Sequence, residues 1–496
     1  MLAFLIGCGK DRPSPEKVTS VATAPPAALL ASWISVGGAA LASDTNLPTL
    51  GAIAALPETK AFVESALLRF AEQVAAPLLA AHPALTAAIA GQAAPLLKDL
   101  IDAPTRFVAA SVSNQVSWSL ALKLSDARAS AWRSNAWLAF YPDIRVTQKG
   151  PWTILGTVTS NSLTDGLFDP QNETTTTQDS LVRAELAVHQ WPTTWRPGHL
   201  SSIDRVTFSL GAKGDDLRPR LVLTTARPLN FDLVPWQIPT NSIRDPLIGF
   251  TAVRGLQPWL LKLPLVHSLG LTHLPHQMIL WHQALSPFSV TAAFPMENVT
   301  QFMDQLSTRL TPLLATLLPT NSPGHIQYNT NTHRLNWSGL PIVIPFIAPG
   351  DEPNILQAGL FPLELPSGKH APVELFEQVT TQTNLLLYDW EITQDRLGQW
   401  RPISQIYAMV SNQGLHEDHS MSENWLDAIA PKLGNSGTKL TQTGPRELTL
   451  TRGAPLGLNA LELVALARWV EPFPAFLKHK SKPEPKTAIP LPALVP

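Results

Sequence analysis

Apolar residues recur along this chain with two periods. Phe62, Val63, Ala66, Leu67, Phe70, Ala71 and Val74 fall at helical spacing behind Pro57-Glu58-Thr59, whose early Pro and first-turn acid suit a helix start. His82-Pro83 breaks the run, and a second helix is predicted from Pro83 to Ile101, ended by Ala103-Pro104. The polar side of the first helix (Glu58, Lys60, Glu64, Arg69, Glu72) mixes signs, so the pair reads as a helical hairpin packed on a sheet, not a basic membrane-surface helix. Glu297–Leu318 is predicted as an amphipathic helix with Val299, Phe302, Met303, Leu306, Leu310, Leu313 and Leu317 on one side. Leu458–Val470 reads as a final helix.

Period two dominates the rest. Ser117–Leu124 alternates like a half-buried strand, and Leu181–Val188, Val206–Ala212 and Arg220–Thr225 read as strands, the last two joined by a loop at Gly211–Asp216. Thr147-Gln148-Lys149-Gly150-Pro151 and Thr441-Gln442-Thr443-Gly444-Pro445 share the pattern Thr-Gln-x-Gly-Pro between strand-like runs, which predicts two β-hairpins. Each is preceded by a predicted strand and helix: Ser117–Leu124 with Ala127–Leu138, and Ile406–Val410 with Ser422–Leu433. A looser copy runs from Phe288–Phe294 through the 297–318 helix to a hairpin of Ile326–Tyr328 and Arg334–Ser338.

The expectation is therefore an α+β fold. Tandem β-α-β-β units near 116–159, 288–339 and 405–452 form antiparallel sheets with helices packed on one face, preceded by an N-terminal helical hairpin. The segments read as a tether at 1–26, a helical segment at 27–104, α+β units at 105–246, 247–372 and 373–477, and a disordered Lys/Pro-rich tail at 478–496. Pro228–Pro246 and Pro341–Pro372 read as connections between units.

Composition narrows the partners. Charged residues are only 15% of the chain, against about 25% in an ordinary globular protein. With a net charge of −2 there is no overall basic footprint for nucleic acid. No run of about 18 apolar residues argues for a spanning helix. The 46 prolines and the low charge fit an exported protein with rigid connections. A single cysteine excludes an internal disulfide framework and a Cys-rich zinc site.

That cysteine, Cys8, closes a short apolar run in Leu5-Ile6-Gly7-Cys8, and Gly9–Pro26 behind it is polar and Pro-containing. The tetrad resembles a bacterial lipobox. The resemblance implies lipid attachment at Cys8, a membrane partner held through that lipid, and an extended tether behind it. Gly9 stands where an inner-membrane retention signal would place Asp, which implies an outer-membrane lipoprotein facing the periplasm or cell surface. The remaining layout loosely resembles exported bacterial proteins of unknown function built from tandem β-α-β-β units, a likeness that implies no catalytic residues.

Candidate chemistry is sparse. His267, His273, His276 and His282 lie close in sequence, but their spacing is not a helical ligand pair, and they read as single rings on loops and a strand. His416-Glu417-Asp418-His419 gathers two imidazoles and two carboxylates, making His416 and His419 the metal candidates of lowest rank. Asp351-Glu352, Asp389 and Glu391 are carboxylates that could pair across a cleft. No nucleophile elbow, phosphate loop or dinucleotide fingerprint is present. Trp191, Trp195, Trp236, Trp259, Trp281, Trp390 and Trp400 read mainly as core. The expected function is a non-catalytic, lipid-anchored envelope protein offering a binding or scaffolding surface, with an envelope protein or glycan as partner, no cofactor and no assigned metal. The alternatives are a polysaccharide binder acting through exposed tryptophans and a metal-dependent hydrolase using the histidine segments.

Overall fold

The computed structural model describes residues 28–81, 86–112, 115–135, 143–157, 163, 165, 167–168, 180–192, 201–271, 273–284, 288–317, 324–339, 343–361, 368–410 and 420–471. The chain enters through a strand, β1 (Ala28–Ser35). Two short helices, α1 (Gly38–Ala42) and α2 (Pro48–Ala55), lead to α3 (Pro57–Ala81) and α4 (Thr86–Asp102). The 27–104 segment is thus not wholly helical. Ala28–Ser35 is a short, mostly apolar run with no charged residue to mark a face, and it lies inside the sheet between two other strands.

Next come β2 (Thr105–Val112), β3 (Gln115–Lys123), α5 (Asp126–Arg133) and the hairpin β4 (Ile144–Lys149) and β5 (Trp152–Thr157). Gly150 turns that hairpin at φ 57°, a conformation glycine adopts without a steric penalty. The chain continues through β6 (Val182–Leu186), β7 (Ile203–Lys213), β8 (Asp216–Thr225) and β9 (Leu247–Arg254). After the short helices α6 (Gln257–Leu260) and α7 (Pro264–Leu269) come β10 (Gln277–Gln283), β11 (Val290–Pro295) and α8 (Val299–Leu317). Four strands follow: β12 (His325–Asn329), β13 (Arg334–Ser338), β14 (Phe346–Pro349) and β15 (Ile355–Gly359). The last two lie inside the stretch expected to be a connection, where prolines mask short strands.

The final part holds α9 (Val373–Thr380), β16 (Leu385–Ile392), α10 (Thr393–Val410), α11 (Met421–Ile429), β17 (Asn435–Gly444), β18 (Glu447–Gly453) and α12 (Ala460–Val470). Ile406–Val410, expected as a strand, belongs to helix α10. The strand of this region is β16, which continues directly into the helix. Helix α11 starts where Ser420 accepts the backbone N–H of Glu423, and α12 starts on an Asn459–Glu462 capping box.

Among the described residues all the strands join one 18-stranded sheet, and every pairing is antiparallel. Read across, the order is β4-β5-β3-β2-β1-β6-β7-β8-β18-β17-β16-β9-β10-β11-β15-β14-β13-β12. Strand–helix–hairpin order recurs at β3-α5-β4-β5, β11-α8-β12-β13 and β16-α10-α11-β17-β18, but the pairing differs each time. β3 takes β5 as its neighbour, β16 takes β17, and β11 is separated from β13 by β15 and β14.

Packing follows the pleat. Trp33, Phe107, Leu120 and Leu155 form one cross-strand row, covered by Leu96 of α4 and Trp132 of α5. At the far end α8 covers Leu335, Leu356 and Phe294. Helices α3, α10, α11 and α12 pack on one another, with Phe62 and Trp425 stacked at 3.8 Å between ring centroids. Helices do not keep to one face. α9 packs Leu375, Phe376 and Val379 on Phe250, Tyr388 and Trp281, the face opposite the one where Glu391 meets the start of α12. Trp281 and Phe250 are fully buried, and each contributes about 2–3 kcal/mol of transfer free energy. Among the described residues no helix is long and apolar enough to cross a membrane.

Candidate functional site: a cationic groove on the sheet

Strand alternation places Arg218 and Arg220 of β8 on one face and Leu217 and Leu221 on the other. Cross-strand register then extends that face. Arg220 stands opposite Ser209 of β7, and Ser209 opposite Arg183 of β6. On the other side Arg220 stands opposite Thr451 of β18, Thr451 opposite Lys439 of β17, and Lys439 opposite Tyr388 of β16. A single row therefore reads Arg, Ser, Arg, Thr, Lys, Tyr. Beyond Arg183 the row continues through Ile34 to Arg106 of β2, whose guanidinium lies over the rings of Trp152 and Phe168.

The row floors an open groove of about 820 Å³, bounded by α9 at its Tyr388 end. Gly211, Gly437 and Gly453 lie in the row beside it and supply no side chains. Nothing lies within 4 Å of where a Cβ on Gly437 would stand, so the groove is open there. A Cβ on Gly453 would meet the guanidinium of Arg218, which lies across that glycine.

The charge is one-sided. Among the described residues no Asp or Glu lines the groove, and no carboxylate pairs with Arg220 or Lys439. Arg218 is held at the rim by Asp216, 3.0 Å away. Lys439 Nζ sits 5.5 Å from the centroid of the Tyr388 ring, a cation–π contact. The Tyr388 hydroxyl donates to Gln378 Oε1 at 2.8 Å. Burial, followed by the adjacent Asp389 carboxylate, pushes that hydroxyl up to about 12, so it stays protonated.

A second polar cluster lies beneath the other face. Asp389 Oδ1 accepts from Thr251 Oγ1 at 2.7 Å, and Glu391 Oε1 accepts the Ala460 N–H at the start of α12 at 2.7 Å. Burial raises both carboxyls, and those same hydrogen bonds oppose the rise. Arg396 of α10 donates to His282 Nδ1 at 2.9 Å and to Gln399 Oε1 at 2.6 Å. Burial first, and the Arg396 charge second, depress His282 to about 3. The ring is therefore neutral and carries its proton on Nε2. These groups bond to one another and to backbone, so the cluster ties α10 and α12 to the sheet.

The singled-out side chains fall in separate places. His267 lies on α7, His273 follows it in a loop, His276 Nδ1 lies 3.6 Å from Asp232, and His282 faces Arg396. Among the described residues no three His, Cys, Asp or Glu gather as metal ligands. His416, His419, Cys8 and Trp195 lie outside the described residues. Glu352 accepts the Asn241 N–H at 2.9 Å and stands apart from Asp389 and Glu391. Trp281 is core, Trp191, Trp236, Trp390 and Trp400 pack against core clusters, and Trp259 is 59% exposed. The groove cations were not singled out from sequence. Arg183, Arg220 and Lys439 lie on three separate strands, and only the Arg218-x-Arg220 alternation signals a charged face. Neither a family model, nor a curated protein, nor a solved structure matches the chain.

Proposed function

We propose that this chain is a non-catalytic, lipid-anchored envelope protein that uses the sheet groove to bind an anionic ligand outside the cytoplasm. One observation carries the binding reading: Arg183, Arg220 and Lys439 lie in a single cross-strand row over a glycine-bearing floor without a lining carboxylate. Guanidinium, ammonium, hydroxyl and open floor suit charge recognition and hydrogen bonding. The described lining offers no His, Asp, Glu or Cys to act as base or nucleophile. The lipid anchor rests on Leu5-Ile6-Gly7-Cys8, and the outer-membrane address on Gly9. The three strand–helix–hairpin segments are proposed as diverged copies of one β-α-β-β unit, on their common chain order and the Thr-Gln-x-Gly-Pro hairpins.

Two measurements test the proposal. Dextran sulfate should bind with an affinity that falls as salt rises, neutral dextran should not bind, and Arg220→Ala/Lys439→Ala should weaken the sulfate probe at least about tenfold. Equal binding of both dextrans removes the anionic reading. In a bacterial host the wild type should incorporate labelled palmitate and partition into detergent, while Cys8→Ser should do neither. Equal partitioning of the two removes the anchor.

A further inference from the structure

We infer that the ligand of the groove is an acidic polysaccharide with one carboxylate per disaccharide, lying across the strands. The inference rests on the anionic reading and adds the spacing of the charges. Arg183, Arg220 and Lys439 occupy β6, β8 and β17, which are every second strand of this part of the sheet. Neighbouring strands lie about 4.8 Å apart, so successive cation-bearing strands are about 9.6 Å apart and the three cations span about 19 Å. That interval is close to the length of an extended disaccharide. A ligand with one carboxylate per disaccharide would present its charges in step with the row.

The positions between the charges fit the same ligand. Ser209 and Thr451 stand between Arg183, Arg220 and Lys439, where a sugar ring would offer hydroxyls as donors and acceptors. Trp390, half-buried in the glycine row beside the buried Tyr388, brings a ring to the end of the groove, and an aromatic face suits the apolar face of a sugar. Gly437 leaves width for a pyranose ring. Arginine presents a planar fork that matches a carboxylate with two hydrogen bonds.

Nucleic acid fits the spacing poorly. A strand of duplex carries one charge per about 3.4 Å, roughly three phosphates for each cation of the row. Among the described residues the groove also lacks a file of aromatic side chains among its cations on which successive bases would stack. Inorganic polyphosphate, with charge on every unit, is mismatched in the same way.

The experiment is calorimetric titration of the full chain with hyaluronan oligosaccharides, inorganic polyphosphate, a single-stranded oligonucleotide and dextran sulfate. Hyaluronan affinity should rise with each added disaccharide until three are present, then level off. Arg220→Ala should weaken it at least about tenfold, with Arg220→Lys recovering only part of the loss. Gly437→Leu should block binding with an unchanged thermal midpoint, because the added side chain enters open space. Polyphosphate or the oligonucleotide binding as tightly as hyaluronan would overturn the inference. So would dextran sulfate binding without hyaluronan, which leaves the anionic reading standing. Failure of every anion removes both.

Discussion

Tyr388 and Asp389 are neighbours in sequence and serve opposite faces of one sheet. The Tyr388 hydroxyl is held by Gln378 of α9 at the edge of the cationic groove. The Asp389 carboxylate is held by Thr251 beneath the α10 and α12 layer. Strand β16 thus divides a cationic, solvent-facing row from a buried network of two acids, one arginine and one neutral histidine. The two faces are separable by mutation.

His282 sets an acid limit on stability. Its folded pKa is depressed from 6.5 to about 3, so below pH 6.5 the unfolded chain binds a proton that the folded chain refuses. Stability should fall as pH drops from 6.5 towards 3, by on the order of 4 kcal/mol over that window. His282→Asn keeps an acceptor for Arg396 and should remove this part of the slope. Asp389 and Glu391 act in the opposite sense, since burial raises them. Their contribution is present below the ordinary carboxylate range and is lost as pH rises through the raised values. In the Asn variant the residual slope should therefore descend with rising pH. Urea unfolding midpoints at a series of pH values check both signs.

Arg254 is a structural cation. Only 4% of it is exposed, and it donates to the carbonyls of Leu385 at 2.6 Å, Val234 at 3.0 Å, Gln382 at 3.2 Å and Thr383. Its guanidinium also lies 4.7 Å from the centroid of Trp236. Arg254→Ala should cost about 3 kcal/mol or more, because several buried carbonyls lose their donor at once. Arg254→Lys should recover little, since one ammonium cannot reproduce the fork. Denaturant unfolding of the three proteins decides it.

Gly37 is locked by backbone. Its φ is 89°, and an added Cβ would lie 2.6 Å from Ala103 C and 2.8 Å from Pro104 N at the α4–β2 junction. Neither atom can swing aside. Gly37→Ala should destabilise the protein by about 2–4 kcal/mol, combining left-handed strain with overpacking. A thermal midpoint equal to wild type would refute the crowding.

Trp425 fastens α3 to α11. It is 4% exposed and stacks on Phe62 at an interplanar angle of 7°. Trp425→Ala should cost about 3–5 kcal/mol, and limited proteolysis should then cut within α3 before it cuts the sheet. First cleavage in the strands would show that the helical layer is not the weak point.

What was readable from sequence follows from local periodicity. The hairpins at Gly150-Pro151 and Gly444-Pro445, the α8 helix and the α12 helix each carry their signal within a short window. Strands β1, β9 and β16 do not. β1 and β9 are mostly apolar without clear alternation, and β16 opens on three consecutive leucines before Tyr388–Ile392 alternates, so each short run reads much like a segment of buried helix. The groove was less legible still. Arg220 and Thr451 become neighbours only through the β8–β18 pairing, and nothing in the strand of either residue specifies the other.

That pairing has a consequence for the order in which the molecule can be built. β8 ends at Thr225, and its partner β18 begins at Glu447. β9 likewise waits for β16. A ribosome delivers β8 long before β18, so the nascent chain carries an unpaired sheet edge while the intervening residues are made. Such an edge recruits other strands, including those of sister chains. The centre of this protein is thus its last part to close, and a holdase that covers β8 during synthesis would protect the site that the finished sheet goes on to display.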